Sequence, residues 1–159
     1  MPRKTTKALV REVTPDRRYN SQQVQRVINR VMHDGKKQLA ERLVYNGMDK
    51  AAKKLKAESP LEVFDQAMRN VQPHMETRSR RVGGANYQIP FEVKGQRQSH
   101  LTTMWFVAAA RSRKGMSMED RIALELVEAY NSAGSAVKKK EDTHKMAEAN
   151  RAFAHFARF

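Results

Sequence analysis

Apolar side chains recur at helical spacing along most of this chain. Val24, Val27, Ile28, Val31 and Met32 fall at i, i+3, i+4, i+7 and i+8, one face of a first helix that Asn20 or Ser21 can cap and Gly35 ends. A second helix is expected over about Lys36–Lys56, with Leu39, Leu43, Gly47/Met48, Ala51/Ala52 and Leu55 as its stripe. Ser59-Pro60-Leu61-Glu62 has the form of a capping box with Pro at the first helical position. Val63, Phe64, Ala67, Met68 and Val71 then face inward, and Pro73 stops the third helix.

The period changes next. Tyr87, Ile89, Phe91 and Val93 alternate with Asn86, Gln88, Pro90 and Glu92, the two-residue period of a strand. Thr77–Val82 and Asn86–Val93 flank Gly83-Gly84, a dipeptide suited to a tight hairpin turn. Pro90 cannot donate to a ladder, so the pair is expected as an edge or a free ribbon leaning on the body at its base. Helical spacing resumes with Ser99 as a cap. Leu101, Met104, Trp105, Val107 and Ala108 follow, and the helix ends at Arg111-Ser-Arg-Lys-Gly115. Ser117 opens another helix carrying Ile122, Ala123, Leu126, Val127 and Tyr130. A last helix after Gly134 runs toward His155, with Met146, Ala149/Asn150, Phe153 and Phe156 as its stripe.

The expected fold is mainly α: a bundle of about six helices with a protruding two-stranded β-hairpin between the third and fourth. Its parts are a basic extended tail over 1–18, one helical domain over 19–156 with a ribbon arm at about 75–93, and a short tail over 157–159.

Charge adds a partner to this picture. The net charge is +14, and it is unevenly placed. Residues 1–11 and 77–118 hold twelve Lys/Arg and one acid, Glu92, whereas the rest of the chain is close to balanced. Charge gathered in a tail and one central segment reads as the footprint of a polyanion. The tail cations are Arg3, Lys4, Lys7 and Arg11, which suit either a nucleic-acid backbone or a solubilising tail. Arg78, Arg80 and Arg81 lie on the first hairpin arm, where alternation sends Arg78 and Arg80 to one face and Arg81 to the other. Arg111, Arg113 and Lys114 close a helix whose dipole one cation would satisfy. Lys36 and Lys37 open a helix, where the dipole disfavours cations, and a nearby phosphate would account for them. Lys138–Lys140, followed at once by Glu141-Asp142, reads as a solvated face with pairs such as Glu141 to Lys145. Tyr87, near the hairpin tip, suits stacking on a base or packing on a cross-strand neighbour.

Catalytic and metal chemistry find little support. His33, His74, His100, His144 and His155 form no H-x-x-x-H pair, and no nucleophile–base spacing stands out. Gly35-Lys36 lacks the earlier glycine of a P-loop, since Arg30 occupies that position. The chain has no Cys, which removes disulfides and thiolate metal sites. No enzyme activity and no cofactor are expected. No apolar run approaches the roughly 20 residues of a membrane span, and the N-terminus lacks the apolar stretch of a signal peptide. A cytoplasmic, non-membrane location is therefore expected.

Two nucleic-acid readings follow. One is an architectural DNA binder that lays a β-ribbon in the minor groove. Such arms usually carry an apolar wedge, and Val82-Gly-Gly-Ala85 offers none. The other is a structural RNA binder, which needs several separate cationic surfaces. The dispersed clusters here favour RNA.

Five segments carry a resemblance. They are Met32-His-Asp-Gly-Lys-Lys37, Ser59-Pro-Leu-Glu-Val-Phe64, Arg78-Ser-Arg-Arg-Val-Gly-Gly-Ala-Asn-Tyr-Gln88, Lys139-Lys-Glu-Asp-Thr-His144 and Met146-Ala-Glu-Ala-Asn-Arg-Ala-Phe-Ala-His155. With them the chain closely resembles the bacterial small-subunit ribosomal proteins of the S-seven family. The resemblance implies a primary rRNA binder that takes the 3′ major domain of small-subunit rRNA and nucleates assembly of the subunit head. It implies proteins of the S-nine and S-eleven families as neighbours. It also implies a hairpin (Arg78, Arg80, Arg81, Gly83, Gly84, Asn86, Tyr87) near exit-site tRNA and mRNA. The implied RNA contacts are the tail, Lys36-Lys37, the Arg78–Arg81 arm and the basic end of the Ser99 helix. Lys94 and Arg97, in the same basic stretch, complete the candidate set. The chain departs from the family at Met104, where an Arg is usual before Trp105. It departs also at Lys94-Gly95-Gln96 and at Ala157–Phe159.

Overall fold

The computed structural model describes residues 13–158. The tail cations Arg3, Lys4, Lys7 and Arg11 lie outside the described residues. The helices are α1 (Gln22–Val31), α2 (Lys37–Leu55), α3 (Pro60–Val71), α4 (Gly95–Ser112), α5 (Met118–Tyr130), α6 (Gly134–Ala149) and a terminal 3₁₀ helix (Arg151–Arg158). The strands β1 (Met75–Val82) and β2 (Ala85–Glu92) form one antiparallel hairpin between α3 and α4. The architecture is thus mainly helical with an inserted β-ribbon, as the sequence periods indicated.

The chain is anchored earlier than residue 19. Asp16 is buried, and its carboxylate accepts the backbone N–H groups of Arg18, Tyr19 and Ser21 at 2.8–3.0 Å and the Tyr45 hydroxyl at 3.0 Å. Burial pushes this carboxyl up, but the four donors outweigh it and hold it below the usual range. The turn so formed delivers Ser21, whose Oγ accepts the Val24 N–H and starts α1.

The core lies among α1–α5 and the start of α6. Its largest wholly buried side chains include Ile28, Met48, Phe64, Met68, Phe106, Ile122 and Leu126, and Trp105 is buried on the inner face of α4. The inner face of α2 keeps the expected Gly47, Met48, Ala51 and Ala52 but not the leucines. Ala40, Val44, Gly47, Met48 and Ala51 are buried, whereas Leu39 is 41% exposed and Leu43 half-buried. α2 also meets α5 closely: a Cβ at Gly47 would lie 2.7 Å from Ile122 Cγ2 and 3.1 Å from the Glu119 carbonyl oxygen. The missing side chain at Gly47 lets α2 press against α5. Across the same seam Lys50 pairs with Glu119 and Asp120, each at 2.6 Å.

Two expected boundaries move, and one expected capping bond is not made. Ser59 occupies the cap of α3 but its side chain makes no capping bond, so Pro60 alone marks that start. α4 begins at Gly95, with Lys94 as its cap and Gly95 at φ +57°, which places Ser99 within the helix. The last helix breaks at Asn150, whose side chain donates back to the Met146 carbonyl. The buried positions of α6 are Ala136, Val137, Thr143 and Ala147, and Met146 is 46% exposed. The expected pair of Glu141 with Lys145 is absent among the described residues, and Lys140 instead donates to the Asn70 carbonyl.

The ladder pairs Met75 with Glu92 through Val82 with Ala85, leaving Gly83 and Gly84 as the two-residue turn. Both have positive φ, +58° and +89°, which this turn requires and glycine adopts without strain. Ile89 is fully buried, so the base of the ribbon leans on the body. His144 of α6 helps to fix that base, its Nε2 accepting the His74 N–H at 3.0 Å. Burial, the nearby His74 ring and Lys140 all push the His144 pKa down. A folded-state pKa below the unfolded value means protons bind the unfolded chain first. Stability is therefore whole above the ordinary histidine pKa, about 6.5, and falls as pH drops through the lower folded value. Urea melts across this range should show the loss, and His144→Gln should shrink it.

Candidate nucleic-acid interface

A strip of cations follows α4 from end to end. At its first turn, Arg97 donates two bonds to the buried carboxylate of Glu76 on β1, at 2.9 and 3.1 Å. Arg78 holds the other oxygen of Glu76 through Nε at 2.6 Å, and its guanidinium lies over the Phe91 ring. Burial pushes the Glu76 carboxyl up, but Arg97 and Arg78 more than reverse this and keep it below its usual range. One carboxylate thus ties the hairpin base to the start of α4 and is itself neutralised by two cations. At the far end of α4, Arg111 donates to the carbonyl oxygens of Arg30 and Val31, where α1 ends with unpaired carbonyls. The turn carrying Lys36 and Lys37 follows α1 directly.

Between these two ties α1 and α4 border an open groove of about 930 Å³. Gln22, Arg26, Asn29 and Arg30 line it from α1, and Gln96, Ser99, His100 and Thr103 from α4. Each set recurs at three- and four-residue spacing, so each forms one stripe of its helix, and on α1 this stripe lies opposite the buried face. Val13, Thr14 and Pro15 close one side, so the chain emerges from the undescribed N-terminal residues along this groove. Among the described residues no carboxylate lines it. Sequence reasoning passed over Arg26, Arg30 and His100, although the stripe of Gln22, Arg26, Asn29 and Arg30 was visible as the complement of the apolar one.

The expected cations separate by their partners. Arg80, Arg81, Lys36, Arg111 and Lys114, with Arg26 and Arg30, are free of any ion pair among the described residues. Lys37 stands 3.8 Å from Glu41, and exposed Lys94 pairs with Glu92 at 2.8 Å. Arg113 departs from the expectation of a phosphate contact. It turns inward to Glu125 at 2.7 Å and to Glu128, with only 22% of its side chain exposed. The Glu128 carboxylate, with that of Glu125, holds the guanidinium protonated against the opposing effect of burial. Glu125 is wholly buried, and its other oxygen accepts the Ala136 N–H at 3.0 Å, so the set braces α5 against the start of α6.

On the hairpin, cross-strand partners share a face. Arg78 and Arg80 lie with Ile89 and Tyr87, and Arg81 lies with Asn86 on the other face. The alternation is as expected, but the first face turns toward the body. Gly83, Gly84, Asn86 and Arg81 are exposed at the tip. Tyr87 is not a free stacking platform, and its cross-strand neighbour is Arg80. It packs on Phe153 and Phe156 of the terminal 3₁₀ helix, at centroid distances of 5.1 and 5.6 Å. Met104, at the family's usual Arg position, is half-buried against the core.

Among the described residues no cluster of three or more His, Cys, Asp or Glu converges as metal ligands, and no helix is long and apolar enough to cross a membrane. The strip therefore offers cations, amides and hydroxyls on a concave, acid-poor surface. Such a surface is suited to phosphate and ribose groups.

Comparison with known proteins agrees with this character. The family described as ribosomal protein S7p/S5e matches residues 2–151. A small ribosomal subunit protein uS7 from Chloroflexus aggregans is 54% identical over 148 residues, which is 93% of this chain and 94% of that protein. The uS7 proteins of Symbiobacterium thermophilum and Thermotoga petrophila are 55% identical over 146 residues and 53% identical over 150. These spans cover 92% and 94% of this chain, and 93% and 96% of the respective relatives.

Proposed function

Since this chain belongs to the ribosomal protein S7p/S5e family, we propose that it works in the small ribosomal subunit as a non-catalytic scaffold for rRNA. The RNA is that of the 3′ major domain, and the protein nucleates assembly of the subunit head, with members of the S-nine and S-eleven families as neighbours. The observation that carries the reading is the acid-poor strip along α4. It joins the Arg78–Arg81 arm, the α1/α4 groove and the Lys36-Lys37 turn through direct contacts at Glu76 and Arg30.

The mechanism is charge neutralisation at a place where RNA segments converge. Phosphates repel one another, and a rigid row of cations lowers that cost while expelling condensed counterions. Arg26, Arg30, Arg97, Arg111, Lys36 and Lys37, with the tail residues Arg3, Lys4, Lys7 and Arg11, take the rRNA. Lys94 and Lys114 extend the same surface. Arg113 serves as an internal brace. The tip, with Arg80, Arg81, Gly83, Gly84 and Asn86, reaches exit-site tRNA and mRNA. The glycine turn suits this role, because it brings backbone close to a partner and carries no wedge that would kink duplex DNA.

A division of labour follows. Replacing Arg78, Arg80 and Arg81 with Ala should weaken tRNA and mRNA contacts in reconstituted subunits more than it weakens binding to the isolated head-domain RNA. Filter binding and site-directed crosslinking measure the two. Collapse of head-domain RNA binding in this variant would contradict the assignment of the arm.

A further inference from the structure

Beyond Asn150 the chain turns back as the terminal 3₁₀ helix and lies against β2. Its aromatic rings make the contact, with Phe153 and Phe156 both on Tyr87. The Phe156 carbonyl accepts a bond from Arg80 at 3.4 Å. Tyr87 and Arg80 are cross-strand partners, three rungs from the Gly83-Gly84 turn, so both strands are held at one level. The hairpin base is fixed separately, by Glu76 to Arg97 and by His144 to His74. A two-stranded ribbon held only at its base is marginal and free to swing.

We propose that Phe153 and Phe156 are positioning residues, clamping the hairpin through Tyr87 so that Arg80 and Arg81 are presented in one orientation. The clamp rests on the reading of the hairpin as a nucleic-acid contact, because only then does its direction matter. Aromatic pairs of this geometry hold beyond simple burial. The two fixed points, one at the base and one near the tip, define a direction where either alone would not. Arg80 contributes twice, closing the clamp through the Phe156 carbonyl while keeping an exposed guanidinium.

The test uses the full-length chain with Phe153→Ala and Phe156→Ala together, and separately Tyr87→Ala. Far-UV circular dichroism confirms that the helical body is intact. Nitrogen relaxation at Gly83 and Gly84 should report increased fast motion, and trypsin should cut faster after Arg78, Arg80 and Arg81. If the aligned fraction falls to about a tenth, the Kd for hairpin-dependent RNA rises about tenfold. Phe153→Tyr with Phe156→Tyr, which keeps the rings, should restore both readouts. Adding Tyr87→Ala to the double variant should change little, because all three residues act through one contact. A hairpin as rigid and as resistant to trypsin as in the unaltered protein overturns the clamp. A mobile hairpin with unaltered RNA and tRNA affinity supports the clamp and overturns the hairpin's assignment as a nucleic-acid contact.

Discussion

Replacing Glu125 with Ala is expected to lower the unfolding free energy by about 3 kcal/mol, within the range for breaking a buried charge pair. The side chain is wholly buried and serves two partners at once. Removing it leaves the Ala136 N–H without an acceptor and leaves Arg113 with Glu128 alone. It also opens a cavity between α5 and α6. The figure stands at the low end because Arg113 keeps one carboxylate and some contact with water. Glu125→Gln retains an acceptor for Ala136 and most of the volume, so it should cost less. Urea denaturation of the three proteins gives the comparison. A loss below about 1 kcal/mol for Glu125→Ala, a value typical of exposed ion pairs, would show that the brace is not structural.

Replacing Arg26 and Arg30 with Ala should weaken binding to a head-domain rRNA fragment by roughly tenfold to a hundredfold at about 0.15 M salt. The dependence of log Kd on log salt should become shallower by about 1.5. Both residues line the α1/α4 groove, and neither has an ion-pair partner among the described residues. Lys53→Ala with Lys54→Ala removes the same charge from the exposed end of α2, away from the groove. That control should change affinity only slightly. Equal losses in the two pairs would reduce the groove to a share of the net charge.

Much of the fold was legible because its signals are local. The apolar stripe of α1, the Pro60 start of α3 and the Gly83-Gly84 turn each depend on residues within a few positions of one another. The failures share a cause in contacts between elements. Leu39 and Leu43 match a helical period as well as Ala40 and Val44 do. Their ranking depends on how α2 seats against its neighbours, where Ala40 and Val44 are buried and Leu39 is exposed. Arg113 belongs to a basic cluster in sequence, yet two carboxylates twelve and fifteen residues later claim it. Tyr87 continues the apolar face of its own strand, but the rings it packs on come from the far end of the chain. Asp16 sits in a segment without hydrophobic period, and its role depends on four donors that only the folded turn assembles.

The interface was half legible for the same reason. Charge clusters in sequence singled out the arm and the end of α4 as candidates. The groove needed two helices to face each other, and its cations are scattered singly among neutral residues. Their union into one strip comes from Arg97 on Glu76 and Arg111 on the end of α1.

That strip is the central claim, and a salt-titrated competition on the unaltered protein tests it most directly. A head-domain rRNA fragment and a duplex DNA of equal charge compete for binding as salt rises through about 0.15 M. The strip predicts that RNA is preferred and that the preference persists at the higher salt, since shape and ribose contacts remain after nonspecific attraction is screened. Equal affinity for the two nucleic acids at that salt would contradict it.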